Sequence, residues 1–359
     1  MTPPIVDMRA VQRVLIIKMS ALGDIIHALP VSAALGEAFP HLNISWYVEE
    51  PFAPLLTGNP YLSEIITLPK FKSRDLRSPR CLREIARSMR YVRSQRFDMT
   101  LDLQGLTKSA IVTISAGART RLGYHWLREA STLVERPVPR RPESVHIVDQ
   151  YLDVARHVGA HPTCVRFPFH IPEEDEAAVT SMLCAEGLEP DAAFVAINPA
   201  SAQAIKQWGA GRYAALMDTL HDRLDIPSVL VTADAEVAAQ VAAQTRRPFV
   251  NLARRTSLKQ LAAVLRRSAV HICGDTGSGH LAAALERPVV SLIGPTDPDR
   301  ACPYGQRENT LNHREACGTG CTAHRCQFER PRCLEAIEVN EVAAKVETLL
   351  RKGGNACAR

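Results

Sequence analysis

The sequence predicts an α/β chain built as two parallel-sheet lobes in tandem. Short apolar runs alternate with segments of helical periodicity along nearly the whole length, and the runs end in loops rich in Gly, Ser and Asp. A Pro-interrupted stretch carrying Pro162, Pro168 and Pro172 splits this rhythm into two similar halves without a sequence repeat. At 359 residues the chain is long for one domain and suits two, and a hydrophobic fraction of 46% fills two cores. The boundaries expected are a first lobe over 1–175, a second over 176–338, and a terminal helix with a tail over 339–359.

In the first half, residues 13–18 (RVLIIK) form an apolar run closed by charges, a buried strand. Its loop, Met19-Ser20-Ala21-Leu22-Gly23-Asp24, runs into a helical pattern over 25–39. Strands follow over 44–48 and 64–68, a basic helix over 82–92, a strand over 99–103 ending in Gln104-Gly105, and helices over 108–115 and 145–158. After the prolines the strands are expected over 194–197, 228–232, 249–252, 270–273 and 289–293. The helices between them fall over 211–220, 236–245, 257–267 and 279–285, the third opened by a Thr/Ser cap. Ligands of such sheets lie at the C-terminal ends of the strands, so the strand-end loops are the candidate sites, with a cleft between the lobes.

Composition excludes several functions. Aromatic content is 5%, too little for a surface built from stacked rings, and single-strand nucleic-acid binding is not expected. The net charge is +5, with basic residues concentrated between Lys70 and Arg96, where ten Lys and Arg face only Asp75 and Glu84. Such a stretch suits an anionic partner or a solvated helix face. The first ten residues are polar, and no apolar run approaches the ~20 residues that span a bilayer. A cytosolic chain is expected, touching a membrane peripherally. The ten cysteines would then be thiols or metal ligands.

Four loops carry chemistry. In the first, Gly23 permits close approach and Asp24 opens a helix, either as a cap or as a general base that takes a proton from an attacking hydroxyl. In the second, Gly274-Asp275-Thr276-Gly277-Ser278-Gly279-His280 leaves a strand and enters a helix, so backbone N–H groups and the helix dipole face an anion. It lacks both the dinucleotide glycine spacing and a Walker lysine, which argues against NAD and P-loop chemistry. In the third, Asn198 to Trp208, a lone Lys206 can neutralise a departing diphosphate. The fourth, Gly294-Pro295-Thr296-Asp297-Pro298, is a tight turn beside the second.

Together these segments resemble the family 9 glycosyltransferases, the ADP-heptose:lipopolysaccharide heptosyltransferases. The likeness runs from about Arg13 to Leu350. It rests on Ser20-Ala21-Leu22-Gly23-Asp24-Ile25-Ile26-His27-Ala28-Leu29-Pro30, on Asp102-Leu103-Gln104-Gly105-Leu106-Thr107-Lys108-Ser109, and on Asp275-Thr276-Gly277 with His280 followed by Gly294 to Pro298. Trp46 to Glu50 and Arg128-Glu129-Ala130 look most like heptosyltransferase I, which adds the first heptose to Kdo.

The resemblance implies a GT-B architecture of two facing Rossmann-like lobes, with a C-terminal helix crossing back to the first. It implies inverting transfer from ADP-heptose to a lipid A–Kdo or core-oligosaccharide acceptor at the inner membrane, with no cofactor or metal in the chemistry. Asp24 matches the base. Ser201, Ala202, Lys206, Glu236, Asp275, Thr276, Gly277 and His280 match donor contacts. Ala202 stands where the pattern has a threonine, so one hydroxyl is missing. Lys70, Lys72, Arg74, Gln104 and Lys108 are the acceptor candidates. Alternatives are a relative using another nucleotide sugar or a protein acceptor, and a non-catalytic binder of anionic surfaces. Cys317, Cys321, Cys326 and Cys333, with His324 among them, have near-metal spacing and are candidates for structural zinc or iron, for free thiols or for a reversible disulfide.

Overall fold

The computed structural model describes residues 6–71, 78–318, 321 and 325–356. Lys72, Arg74 and His324 lie outside the described residues. The chain divides after His170 into two compact units.

The first unit contains β1 (Arg13–Ile17), α1 (Leu22–Ala38), β2 (Asn43–Glu49), β3 (Glu64–Leu68), α2 (Pro79–Ser94), β4 (Met99–Asp102), α3 (Thr107–Ala116), β5 (Thr120–Gly123), α4 (Ser131–Val134), β6 (Arg136–Pro137) and α5 (Ile147–His157). Its six strands lie in the order β3-β2-β1-β4-β5-β6, every neighbouring pair parallel. β1 lies inside the sheet and is covered on both faces, which is why its run of Val14, Leu15, Ile16 and Ile17 is apolar without alternation and wholly buried. Leu15 and Ile17 pack with Tyr47, Ile66, Val92 and Val112. α1 is buried almost continuously from Ile25 to Leu35 and packs along α5.

The second unit contains α6 (Glu173–Ala185), β7 (Val195–Asn198), α7 (Ala210–Leu224), β8 (Ser228–Leu230), α8 (Ala235–Ala242), β9 (Val250–Asn251), α9 (Leu258–Arg267), β10 (Val270–Gly274), α10 (Gly277–Ala284), β11 (Val289–Leu292), α11 (Pro298–Ala301), β12 (Thr310–Leu311), α12 (Arg332–Glu335) and α13 (Val339–Ala356). Its sheet order is β12-β11-β10-β7-β8-β9, again all parallel. Counted from the start of each unit, both sheets follow the order 3-2-1-4-5-6 of doubly wound folds. α9 begins where the sequence predicts: the Ser257 hydroxyl accepts the Gln260 N–H at 3.1 Å, and the Gln260 side chain accepts the Ser257 N–H at 2.9 Å.

Two features differ from expectation. The division at His170 precedes α6, whereas a boundary at 175/176 would cut that helix. Its signal was Pro172 followed by Glu173, Glu174, Asp175 and Glu176, carboxylates that favour a helix N-terminus. Strands β5 and β6 went unpredicted because they are short and carry Arg121 and Arg136 instead of an apolar run. The terminal helix α13 buries Val342, Ala343, Val346 and Leu349 in the second unit's core and packs along α7.

Candidate active site

Each sheet reverses its winding at one place, between β1 and β4 in the first unit and between β7 and β10 in the second. The two chains leaving such a switch point diverge and leave a crevice at the strand C-termini. Four of the loops named above start there: 18–24 and 103–108 in the first unit, 199–208 and 275–280 in the second; Gly294 to Pro298 follows β11 beside them.

In the first unit, Asp24 sits in the first turn of α1 with its side chain half exposed, and Oδ2 accepts the Ala21 N–H at 3.3 Å. The ammonium of Lys18 stands 4.0 Å from that same oxygen. Lys18 is almost wholly buried, and its Nζ donates to the Leu103 carbonyl at 3.0 Å and the Tyr151 hydroxyl at 2.9 Å. A buried, hydrogen-bonded cation beside a half-exposed carboxylate keeps that carboxylate in place while leaving its other face open to a hydroxyl. Sequence reasoning assigned Lys18 no role; the available signal was a charge closing a buried apolar strand.

The neighbouring loop braces the first. Gln104 Oε1 accepts the N–H groups of Met19 at 3.0 Å and Ser20 at 3.2 Å. Lys108 Nζ donates to Ser20 Oγ at 2.8 Å and pairs with Glu49 at 2.7 Å. Beneath them, Asp102 Oδ1 accepts the N–H groups of Gln104 at 2.7 Å and Gly105 at 3.0 Å. Gly105 has φ +66, and a Cβ there would lie 3.0 Å from the Trp126 carbonyl, so the turn requires glycine. Of the acceptor candidates, Gln104 and Lys108 thus belong to this brace, and Lys70 is exposed with its ammonium over the Phe52 ring.

In the second unit, Lys206 Nζ pairs with Asp275 Oδ2 at 2.7 Å, and Thr296 Oγ1 donates to that oxygen at 2.6 Å. Burial opposes the charge on Asp275. The Lys206 ammonium beside it, the hydrogen bonds from Lys206 and Thr296, and nearby His280 prevail and hold its carboxyl below the usual range. Ser201 Oγ donates to the Asp275 carbonyl at 3.1 Å, tying the lysine loop to the glycine loop. Thr276 occupies the N-cap of α10, Gly277 begins the helix, and His280 is buried in it. Ala202 and Glu236 are exposed. The N–H of Glu236 donates to Asp234, which caps α8.

A buried polar chain underlies this loop. Asn198 Nδ2 donates to Ser278 Oγ at 3.0 Å, and His271 bonds both Ser278 Oγ and the Ala196 carbonyl at 3.0 Å. Burial pushes the His271 imidazole down to about 4, so it is neutral. Nδ1 must donate to the carbonyl, which leaves Nε2 to accept from the serine.

The four clustered thiols lie in the segment after β12, and Cys333 reaches the fourth loop, where a Cβ on Gly294 would come 3.4 Å from its Sγ. Cys317, Cys321 and Cys333 are buried with the second core and Cys326 packs against it. Cys321 Sγ is 3.9 Å from Cys326 Sγ, and the Cys333 N–H donates to Cys317 Sγ at 3.2 Å. Among the described residues, no group of three or more His, Cys, Asp or Glu side chains converges in a way that could hold a metal ion.

A family model for glycosyltransferase family 9 (heptosyltransferase) matches residues 85–330. The chain belongs to this family. It is therefore a glycosyltransferase. Among relatives, the lipopolysaccharide core heptosyltransferase OpsX of Haemophilus influenzae is 24% identical over 251 residues, 68% of each chain. Among solved structures, a family 9 glycosyltransferase of Veillonella parvula superposes with TM-score 0.81 at 21% identity, over 95% of this chain and 97% of that one. The Escherichia coli heptosyltransferase WaaC with ADP superposes with TM-score 0.71 at 24% identity, over 94% and 100%. At these identities the structural likeness establishes the two-lobed GT-B fold.

Proposed function

We propose that this family 9 glycosyltransferase moves a heptose from ADP-heptose to the Kdo-containing inner core of lipopolysaccharide, with inversion and with Asp24 as general base. The observation that carries the reading is the Lys206–Asp275–Thr296 cluster at the start of α10. It gathers one fixed cation, one carboxylate and a helix N-terminus where a nucleotide diphosphate and its sugar would be held. The naming of OpsX as a lipopolysaccharide core heptosyltransferase and the capture of WaaC with ADP support that donor and acceptor class.

In the proposed step, the acceptor hydroxyl oxygen attacks the anomeric carbon and its proton passes to the Asp24 carboxylate. The bond from the anomeric carbon to the phosphate oxygen breaks, and the charge growing on the diphosphate is met by Lys206 and the α10 N–H groups. A single displacement inverts the anomeric centre. Asp275 holds Lys206 and offers a carboxylate to sugar hydroxyls. Lys70 and the arginines exposed on α2 (Arg80, Arg83, Arg87, Arg90 and Arg93) supply positive charge suited to the phosphates and carboxylates of the acceptor and its membrane.

The test is nucleotide release from a panel of nucleotide sugars, each with Kdo-bearing lipid A. Release of ADP from ADP-heptose, dependent on the acceptor, supports the reading. Equal turnover of UDP-sugars contradicts the donor assignment, and turnover only with a polypeptide acceptor contradicts the acceptor.

A structural metal at Cys317, Cys321, Cys326 and Cys333 is proposed on ligand chemistry alone, four thiols within 17 residues. Metal analysis of protein purified without chelator decides it: one equivalent of zinc or iron per chain supports the site, and none rejects it.

A further inference from the structure

Two carboxylic acids that the chemistry above does not use lie together beneath the base-bearing loop. Asp102 ends β4 at the sheet's switch point and is wholly buried; Glu135 follows α4 and is 4% exposed. Asp102 Oδ2 and both Glu135 carboxyl oxygens are sealed from solvent, and among the described residues none has a hydrogen-bond partner of ordinary geometry. The groups facing Glu135 are Asp102, Thr113 of α3 and Arg121 of β5. Those facing Asp102 are Ser109 of α3, the Gln104 and Gly105 N–H groups, and Glu135.

Two buried carboxylates this close cannot both stay ionised, and a single proton between them removes the repulsion and supplies the missing donor. The other oxygen of Asp102 shapes the turn whose Gln104 grips Met19 and Ser20, five residues at most from the base.

We propose that Asp102 and Glu135 are a positioning pair that shares one proton and braces the loop carrying Asp24. Loss of that proton above neutral pH loosens the brace and switches transfer off. The proton goes to solvent and returns when the pH falls, so the switch is reversible. Burial, and then the adjoining Asp102 charge, push Glu135 up to about 8, and burial also raises Asp102, which sets the transition just above neutrality. The proposal rests on Asp24 acting as the base of the transfer.

Two measurements test it. First, kcat at saturating ADP-heptose and acceptor is followed from pH 6.5 to 9.5 for the wild type and Glu135→Gln. The wild type should lose activity about tenfold per pH unit above a midpoint near 8, with KM for the donor unchanged. Glu135→Gln, which has no proton to lose at this position, should hold its kcat at least one pH unit further. An identical alkaline limb in the two proteins overturns the proposal. Second, infrared spectra of the wild type need neither transfer activity nor a variant. A protonated carboxylic-acid band should persist at pH 7 and vanish by pH 9, and its absence at pH 7 overturns the shared proton whatever reaction the enzyme catalyses.

Discussion

Lys206 and Asp275 illustrate how much of the proposed donor pocket rests on single charges. Their side chains are 15% and 13% exposed and 2.7 Å apart, so each is the other's main compensation for leaving water. Lys206→Ala should therefore weaken ADP binding by about ten- to a hundredfold, or about 1.4–2.8 kcal/mol, measured by calorimetry at pH 7. Unchanged affinity would remove Lys206 from the diphosphate. The same variant carries a pH signature. In the wild type, Asp275 titrates below its ordinary range, so its ionised form contributes stability above the unfolded carboxyl's range and loses it as the pH falls through the lower folded value. Without Lys206 the folded value rises toward the unfolded one, the window between them closes, and this part of the acid-side loss in thermal unfolding should shrink. Asp24 and Lys18 differ in kind from this pair: Lys18 is committed to Leu103 and Tyr151, and Asp24 keeps an open face.

The helix starts are where local sequence and chemistry coincide. α10 can lie close against β10 only because Gly279 has no side chain; a Cβ there would come 2.7 Å from the buried Cys273 Sγ and 3.4 Å from Pro303. Gly279→Ala should cost about 1–3 kcal/mol of stability by overpacking, read from the denaturation midpoint, and should raise KM for the donor as the helix N-terminus shifts. A variant as stable as wild type with unchanged KM would show that the seam has slack.

Elements with a strong local signal were legible to within a few residues: β1 because burial on both faces of a parallel sheet writes a continuous apolar run, and α9 because a Ser cap opens a helical period. The strand-end loops were legible through glycines and isolated charges. β5, β6 and α6 were not, since strands two to four residues long leave no periodicity and α6 follows a stretch marked by prolines. The Asp102–Glu135 pairing was invisible for another reason: residues far apart in sequence meet only through the winding of the sheet.

The whole molecule repeats one device, a six-stranded parallel sheet whose switch point presents two loops, and the proposed reaction gives the copies opposite tasks. The first unit presents a carboxylate at a helix start, supported from beneath by neighbouring loops. The second presents a cation, a carboxylate and a glycine-lined helix start suited to a nucleotide diphosphate. The division of labour makes the two tasks separable, and Asp24→Asn tests that most directly because the amide keeps the shape and removes the basicity. Transfer of heptose by Asp24→Asn, followed as ADP release with saturating donor and acceptor, should fall about 10²- to 10⁴-fold while ADP affinity and unfolding temperature stay at wild-type values. Turnover within a few-fold of wild type would show that proton removal belongs to another group and would contradict the account given for the first unit.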